Sequence, residues 1–190
     1  MDEIEVQYIR RCQEGHTEEF GSLYDRYIRK IYDFIYFKTM HRETAEDLTS
    51  QTFMKAFQNI QSFREGAGTF SAWLYRIARN TVIDHYRTRK ETRSLEDAWD
   101  LGADDETPRD IDTRDRLAKV HDAVQKLPAQ QRDIIMLRVW SELSFKEIAA
   151  VVGKSEASCK MAFSRSLAKL RTEHFVAYML LCGILIRYSG

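Results

Sequence analysis

The sequence is poor in residues that cross-link a chain or bind a metal. It has three cysteines, Cys12, Cys159 and Cys182, and no CxxC pair. An odd number of unpaired cysteines argues against a disulfide framework and against a zinc site. We therefore expect a protein of the reducing cytoplasm that holds no metal.

Proline and glycine are also scarce, at two and eight residues, whereas leucine, isoleucine, alanine, glutamate, arginine and lysine are plentiful. No run of residues alternates between apolar and polar as a half-buried strand would. The composition therefore predicts an all-α fold.

Long hydrophobic runs are lacking as well. Residues 175–186 are uncharged, but twelve residues are too few to cross a bilayer, which needs about 20. Residues 1–10 are polar and do not resemble a signal peptide. We expect no membrane insertion, and we expect the uncharged run to pack on a neighbouring helix or to be covered by a partner.

Net charge is absent, because 29 basic residues balance 29 acidic ones. Basic residues nevertheless outnumber acidic ones six to two in residues 72–93 and five to one in residues 154–171. Residues 94–112 hold eight acidic residues and one basic residue, together with Gly102 and Pro108. This distribution predicts two cationic patches separated by an acidic, flexible linker.

No catalytic motif is recognisable. The five histidines are scattered singly, and neither HExxH, GxSxG nor a P-loop occurs. An enzyme is therefore not expected, and no catalytic residue or cofactor is predicted.

The stretch Ser71–Lys90 predicts a helix with two different faces. An apolar stripe is formed by Leu74, Ile77, Ala78 and Thr81. A largely basic stripe, with aromatic residues beside it, is formed by Arg76, Arg79, Asn80, Ile83 and Arg87, flanked by Trp73, Tyr75 and Tyr86. Cations that meet phosphates and rings that stack on bases are typical of nucleic-acid binding. An ordinary amphipathic core helix with a solvated basic side remains the alternative for this stretch alone.

Three further helices are predicted before it, over residues 4–15, 17–38 and 41–59. Their inward residues are expected to be Ile4, Tyr8 and Ile9 in the first, an aromatic stripe from Phe20 to Tyr36 in the second, and Ala45, Leu48, Phe53, Ala56 and Phe57 in the third. Residues 63–70, FREGAGTF, read as a glycine-containing loop.

The C-terminal half predicts helices over residues 113–126 and 130–140, followed by a helix-turn-helix. Ser144 and Glu147 fit a capping box, Gly153 ends that helix, and Ser155 can cap the next one. A capped helix after a tight glycine turn, with outward polar and basic residues, suits a major groove.

With both halves read, the chain resembles an extracytoplasmic-function (ECF) sigma factor of the sigma-70 family. The motifs are AEDLTSQTFMKAF at 45–57, SAWLYRIARN at 71–80, and LPAQQRDIIMLR with LSFKEIAAVVGKS between 127 and 155. The resemblance implies a region 2-like domain at 1–93, a linker at 94–112, a region 4-like helix-turn-helix domain at 113–173 and an apolar extension at 174–190. It implies a stress-responsive promoter-specificity subunit of RNA polymerase.

The resemblance also implies site residues. The surface for core RNA polymerase, whose clamp helices on β′ and flap on β are the expected contacts, would include Asp47, Gln51 and Phe53. The −10 promoter element would be opened and bound by Phe63, Arg64, Trp73, Arg76, Arg79, Asn80 and Arg87. The −35 duplex would be read by Ser155, Ser158, Lys160, Ser164 and Arg165. An anti-sigma factor is a further expected partner.

Two positions depart from the family pattern. Many members carry an arginine where Ala162 stands and an apolar residue where Lys154 stands, so the contacts to the −35 duplex are not fixed by the resemblance. A helix-turn-helix regulator with an N-terminal sensing domain is the competing interpretation, but such a protein has no need of SAWLYRIARN.

Overall fold

The computed structural model describes residues 2–92 and 120–173, with side chains described over 2–88 and 120–172. Every regular element in these two ranges is helical, which confirms the predicted all-α fold. The chain separates into two compact units, Met1–Asp105 and Glu106–Gly190. The predicted domain limits at 93 and 112, the linker and the C-terminal extension lie outside the described residues and stay predictions.

Over residues 2–92, the first unit contains four α-helices: α1 (Glu3–Gln13), α2 (Phe20–Thr39), α3 (Arg42–Gln58) and α4 (Phe70–Thr92). A 3-10 turn, Thr17–Glu19, joins α1 to α2, and a second one, Ile60–Ser62, follows α3. Between α2 and α3 the chain reverses at Met40, whose φ of 50° is left-handed. The four predicted helices are therefore confirmed, with ends within three residues of expectation.

Helix α2 lies at the centre of this unit, because it contacts α1, α3 and α4. The predicted aromatic stripe is only partly core, because Phe20 and Tyr27 are buried whereas Tyr24 is 40% exposed and Tyr32 and Tyr36 are half-buried. Toward the C-terminus of α2, Phe34 and Phe37 are covered as well. The Phe34 ring meets the Tyr75 ring edge-on at 5.3 Å. Tyr75, which was expected beside the basic stripe of α4, is therefore a core residue.

Helix α1 does not follow its predicted pattern in full. Ile9 is buried as expected, but Ile4 is 58% exposed, and the carboxylate of Glu5 is buried in its place. Glu5 accepts a hydrogen bond from the Tyr27 hydroxyl. Burial, together with this hydrogen bond, raises the pKa of Tyr27.

The second unit contains a helix over 120–125, here α5, then α6 (Ala129–Val139), α7 (Phe145–Val152) and α8 (Glu156–Glu173). Pro128 precedes α6 as its N-cap, where a residue without an N–H costs nothing. Helices α6, α7 and α8 pack on one another around a buried core that includes Ile134, Ile135, Met136, Leu137, Ile148, Cys159 and Leu170.

The predicted helix-turn-helix is α7 and α8. Ser144 and Glu147 form the capping box in both directions, and Ser155 Oγ accepts from the Ser158 N–H at 3.2 Å. Gly153 ends α7 with a φ of 69°, a left-handed conformation that glycine adopts without strain. The turn therefore has the chemistry that the sequence predicted.

Candidate nucleic-acid and polymerase interface

The outward face of α3 is a continuous polar stripe. Asp47, Ser50, Gln51, Met54 and Gln58 are all exposed, and they follow one another at helical spacing. Met54 is 58% exposed, which is unusual for a large apolar side chain. Two of the three residues predicted for polymerase, Asp47 and Gln51, lie on this face.

Phe53 does not lie there, and its predicted place on the surface is wrong. It is only 4% exposed, and its ring packs edge-on against Tyr24 with centroids 4.7 Å apart. The signal was present in the sequence, because Phe53 continues the apolar spacing of Ala45, Leu48 and Ala56 toward the core.

The loop from Phe63 to Thr69 has a buried start and an exposed middle. Phe63 is 4% exposed and packs on two rings, Phe70 at 5.7 Å and Trp73 at 5.6 Å. The Phe63 ring is therefore not exposed for the direct DNA contact that was predicted, because it packs beneath the loop and anchors it. Arg64 is exposed, and its guanidinium donates to the Gln61 carbonyl at 3.0 Å.

Two glycines shape the exposed part of this loop. Gly66 and Gly68 have φ values of 88° and 150°, which side chains rarely adopt. No atom lies within 4 Å of the position that a Cβ would take at either residue. The loop therefore presents open backbone on its outer side.

Helix α4 presents the predicted basic stripe. Arg76, Asn80 and Arg87 are exposed, whereas Trp73 and Arg79 are half-buried. Arg87 lies 3.5 Å from the Asp84 carboxylate, one turn before it. Thr69 caps the helix by accepting from the Ala72 N–H at 3.2 Å. Ile83 is exposed within the stripe, so this face offers cations and an apolar contact together.

An open groove of about 340 Å³ lies beside this stripe, between α3 and α4. Pockets that hold small organic groups have volumes from about 300 Å³ upward. The groove is lined by Lys55, Asn59, Ser62, Trp73, Ile77, Asn80, Thr81 and Asp84. Of these residues, Trp73 and Asn80 were predicted to contact the −10 element. Lys55 Nζ donates to Thr81 Oγ1 at 3.1 Å. Sequence reasoning missed Lys55 because its partner Thr81 lies on the next α-helix, 26 positions away.

All five predicted residues are exposed: Ser155, which directly precedes α8, and Ser158, Lys160, Ser164 and Arg165 on the helix. Its opposite side is buried through Cys159, Ser166 and Leu170. The Ser166 hydroxyl lies 3.2 Å from Gln131 Oε1 of α6 and 2.8 Å from the Ala162 carbonyl, so α8 is held in register against α6. The packing thus turns the polar side of α8 to solvent.

Two further residues on this face bear on charge and shape. Lys160 Nζ lies 2.6 Å from the Glu156 carboxylate, one turn earlier. Met161 is 56% exposed beside them. The face therefore combines a partly neutralised cation, a second cation at Arg165 that has no ion pair among the described residues, hydroxyl groups and one apolar side chain. Such a set can meet both phosphates and base edges.

Among the described residues, no group of three or more histidine, cysteine, aspartate or glutamate side chains is placed to hold a metal ion. In the same part of the chain, no helix has the length and hydropathy needed to span a membrane.

Comparison with known families matches both units. The Sigma-70 region 2 family matches residues 23–92, and the Sigma-70 region 4 family matches residues 117–170. The chain is 30% identical to the ECF RNA polymerase sigma factor SigW of Bacillus subtilis, covering 87% of this chain and 94% of SigW. It is 35% identical to the ECF RNA polymerase sigma factor BldN of Streptomyces coelicolor, covering 87% of this chain but 64% of BldN.

Solved structures agree in fold. The sigma factor RpoE, crystallised with the anti-sigma factor NepR from Bartonella quintana, superposes with a TM-score of 0.67 at 25% identity, over 82% of this chain and 96% of that one. CnrH, solved with the cytosolic domain of CnrY, gives a TM-score of 0.70 at 24% identity over 90% and 96% of the two chains. At that identity the second likeness bears on the fold alone.

Proposed function

This chain belongs to the ECF RNA polymerase sigma factors of the sigma-70 family, and from that premise we propose how its exposed faces divide the work of promoter recognition. A sigma factor directs core polymerase to promoters. The alternative of a regulator with a sensing domain is not favoured, because residues 23–92 match sigma-70 region 2. The chain makes no bond itself and acts in the cytoplasm, where polymerase works.

We place the −10 element on α4 and the groove beside it. Asn80 supports this placement best, because it is exposed on the basic stripe and also lines the groove. Arg64, Arg76, Arg79 and Arg87 supply cations to the backbone, and the amide of Asn80 can pair with a base edge. Trp73 offers a ring on which a base that has left the stack can lie.

The −35 element is placed on α8. Ser155 uses its oxygen lone pair on the helix cap, which leaves its hydroxyl hydrogen free for a phosphate. Lys160 and Arg165 meet phosphates, while Ser158 and Ser164 face base edges. Position 162 is an alanine and supplies no cation. The neighbouring Met161 is exposed and can make an apolar contact with the methyl group of a thymine.

Core polymerase is assigned to the outward face of α3. Asp47 and Gln51 remain from the prediction, and Met54 takes the place of the buried Phe53 as the apolar contact. An exposed methionine flanked by polar residues suits a protein partner, because its thioether adapts to an irregular surface. The clamp helices of β′ are the partner proposed for this face, and the β flap is proposed for the second unit.

An anti-sigma factor is proposed as an inhibitor, because RpoE was crystallised with NepR. It would release the chain in response to stress. The acidic segment 94–112 and the uncharged run 175–186, which lie outside the described residues, keep their predicted roles as linker and as a packed or docking segment.

The function is tested with purified core polymerase and one promoter. Arg76→Ala and Asn80→Ala should reduce permanganate reactivity of the −10 thymines while polymerase binding holds. Losing one base contact costs about 1–3 kcal/mol, or roughly fivefold to a hundredfold. Arg29→Ala, an exposed arginine of α2, is the matched control. An unchanged bubble in both variants would refute the placement on α4.

The proposed contacts of α8 and α3 are tested by binding measurements with the same components. Lys160→Ala and Arg165→Ala should each lower the salt slope of promoter binding by about one, almost independently of the −35 sequence. Asp47→Lys should weaken binding of core polymerase, whereas Asp25→Lys on α2 should not. A fixed slope or an unchanged polymerase affinity would remove the corresponding assignment.

A further inference from the structure

Helix α1 is fastened to the loop that precedes α4 by side chains far apart in the sequence. The amide nitrogen of Gln13, at the end of α1, donates to the carbonyls of Ile60 and Phe63 at 2.9 and 3.0 Å. In return, Gln61 donates through its side-chain amide to the Gln13 carbonyl at 2.9 Å. These contacts fix the last turn before the loop from its inner side.

A second attachment lies farther along the loop. The Arg10 guanidinium donates two parallel hydrogen bonds, from Nε and Nη2, to the two carboxylate oxygens of Glu65, each at 2.7 Å. Paired bonds of this kind fix orientation as well as distance. The Arg10 hydrogen bonds also hold the pKa of Glu65 below its usual value, so the pair stays charged at neutral pH.

The loop is therefore restrained on one side and free on the other. Phe63 to Glu65 are held by α1 and by the aromatic contacts beneath Phe63, whereas Gly66 and Gly68 follow with open space around them. Glycines leave many backbone conformations accessible to residues 66–69. The orientation of the restrained residues 63–65 therefore limits the positions that the rest of the loop can reach. The restraint reduces the entropy that the loop would lose on binding.

From this arrangement we propose that Gln13 and Arg10 are positioning residues for promoter opening, which act by holding the 63–69 loop in the conformation that receives the −10 element. The inference rests on the proposed function for the −10 contact itself. Neither residue needs to touch DNA. Their effect should appear in melting and in base preference at the −10 element, and polymerase affinity should be unaffected.

Gln13→Glu removes both donated hydrogen bonds at nearly constant size, because a carboxylate cannot donate. Two lost hydrogen bonds should reduce the rate of −10 opening roughly tenfold. Gln7→Glu makes the same change on the exposed side of α1 and should open the promoter at the parental rate. The readout is 2-aminopurine fluorescence at the −10 element in complexes with core polymerase.

The Arg10–Glu65 pair permits a rescue. Arg10→Glu and Glu65→Arg should each slow opening about twofold to fivefold, because an exposed pair contributes modestly. The double variant Arg10→Glu/Glu65→Arg restores opposite charges and should return the rate and the parental preference among −10 single-base variants. A role in stability alone would alter the melting temperature of the protein without altering that preference.

The outcomes separate the two proposals. Parental opening in Gln13→Glu and in both single charge variants, with impaired opening in Asn80→Ala, overturns the positioning role and leaves the proposed −10 site standing. Parental opening in Asn80→Ala as well overturns the site and the positioning role together. Slow opening in Gln13→Glu, with rescue by the charge swap, supports both.

Discussion

At the residue scale, two neighbouring apolar side chains show how burial separates a structural role from a contact role. Phe53 and Met54 are neighbours on α3, yet one is 4% and the other 58% exposed. The Phe53 ring fills space against Tyr24, whereas Met54 faces solvent on the stripe with Asp47. Substitution by alanine should therefore affect mainly protein stability at Phe53 and mainly polymerase binding at Met54.

Phe53→Ala should lower the free energy of unfolding by about 3–5 kcal/mol, because it leaves a cavity in the core. Met54→Ala should change stability by less than about 0.5 kcal/mol but weaken polymerase binding. Urea denaturation followed by circular dichroism, together with a polymerase pull-down, measures both. A stable Phe53→Ala protein that has lost polymerase would return Phe53 to the contact surface.

His121 is a second residue whose surroundings set a testable property. Gln125 Oε1 accepts from Arg132, which turns the Gln125 amide nitrogen toward His121 Nε2 at 2.9 Å. In this orientation of the Gln125 amide, the contact favours His121 Nε2 as the acceptor and so the neutral imidazole. Burial lowers the pKa of His121, and the nearby Arg132 cation acts in the same direction, while Asp122 at 3.6 Å opposes them.

Because the folded pKa lies below the unfolded value of about 6.5, the unfolded chain binds more protons as the solution becomes acidic. Stability of the second unit should therefore fall as pH decreases from about 6.5 toward the folded pKa. His121→Gln should flatten this dependence, whereas His16→Gln, at an exposed histidine of the first unit, should not. Amide exchange of residues 120–139 between pH 5 and 7.5 would show it, and equal slopes in all three proteins would contradict it.

At the scale of elements, α8 pairs one of its basic residues with a carboxylate of its own first turn. The Glu156–Lys160 ion pair at 2.6 Å holds the lysine in the free protein, and Glu156 also suits the positive end of the helix dipole. In the proposed complex with DNA, Lys160 would exchange this carboxylate for a phosphate. The ion pair would then lower the affinity for DNA, although it stabilises the start of the helix.

Glu156→Gln should tighten promoter binding, by roughly twofold to fivefold, because an exposed pair of this kind is worth under about 1 kcal/mol. The gain should be smaller in a Lys160→Gln background, which provides the control as a double-mutant cycle. Titration of labelled −35 duplexes measures it. Weaker binding to one −35 sequence only would show instead that Glu156 accepts from a cytosine amino group.

At the scale of the whole molecule, the two faces proposed to contact DNA belong to different compact units. Arg76 lies in the unit Met1–Asp105, and Arg165 lies in the unit Glu106–Gly190. Each unit has its own buried core, so each can hold its contact face without the other.

Arg76→Ala and Arg165→Ala should therefore have additive effects on the free energy of promoter binding by holoenzyme. The double variant should match the sum of the single variants to within about 0.5 kcal/mol. Arg76→Ala together with Asn80→Ala, on one face of α4, is the non-additive comparison. A large coupling between Arg76 and Arg165 would indicate that the two promoter elements are read as one unit.

Short-range chemistry is what the sequence by itself determined. The capping box of Ser144 and Glu147, the left-handed Gly153 and the exposed stripe of α4 all depend on residues within a few positions of one another. Helix geometry fixes those relations once a helix forms, so the pattern was sufficient. The sigma-like order of motifs, confirmed by the family matches, depends on the same local spacing.

Tertiary packing decided the rest, because helical spacing defines an apolar stripe but not how much of it neighbouring helices will cover. Phe63 and Tyr75 were drawn into the core by rings on other helices or turns. The groove depends on Lys55 meeting Thr81, and the restraint on the loop depends on Arg10 meeting Glu65, 55 positions away. Contacts at such separations exist only after the chain has closed on itself, so no local pattern carries them.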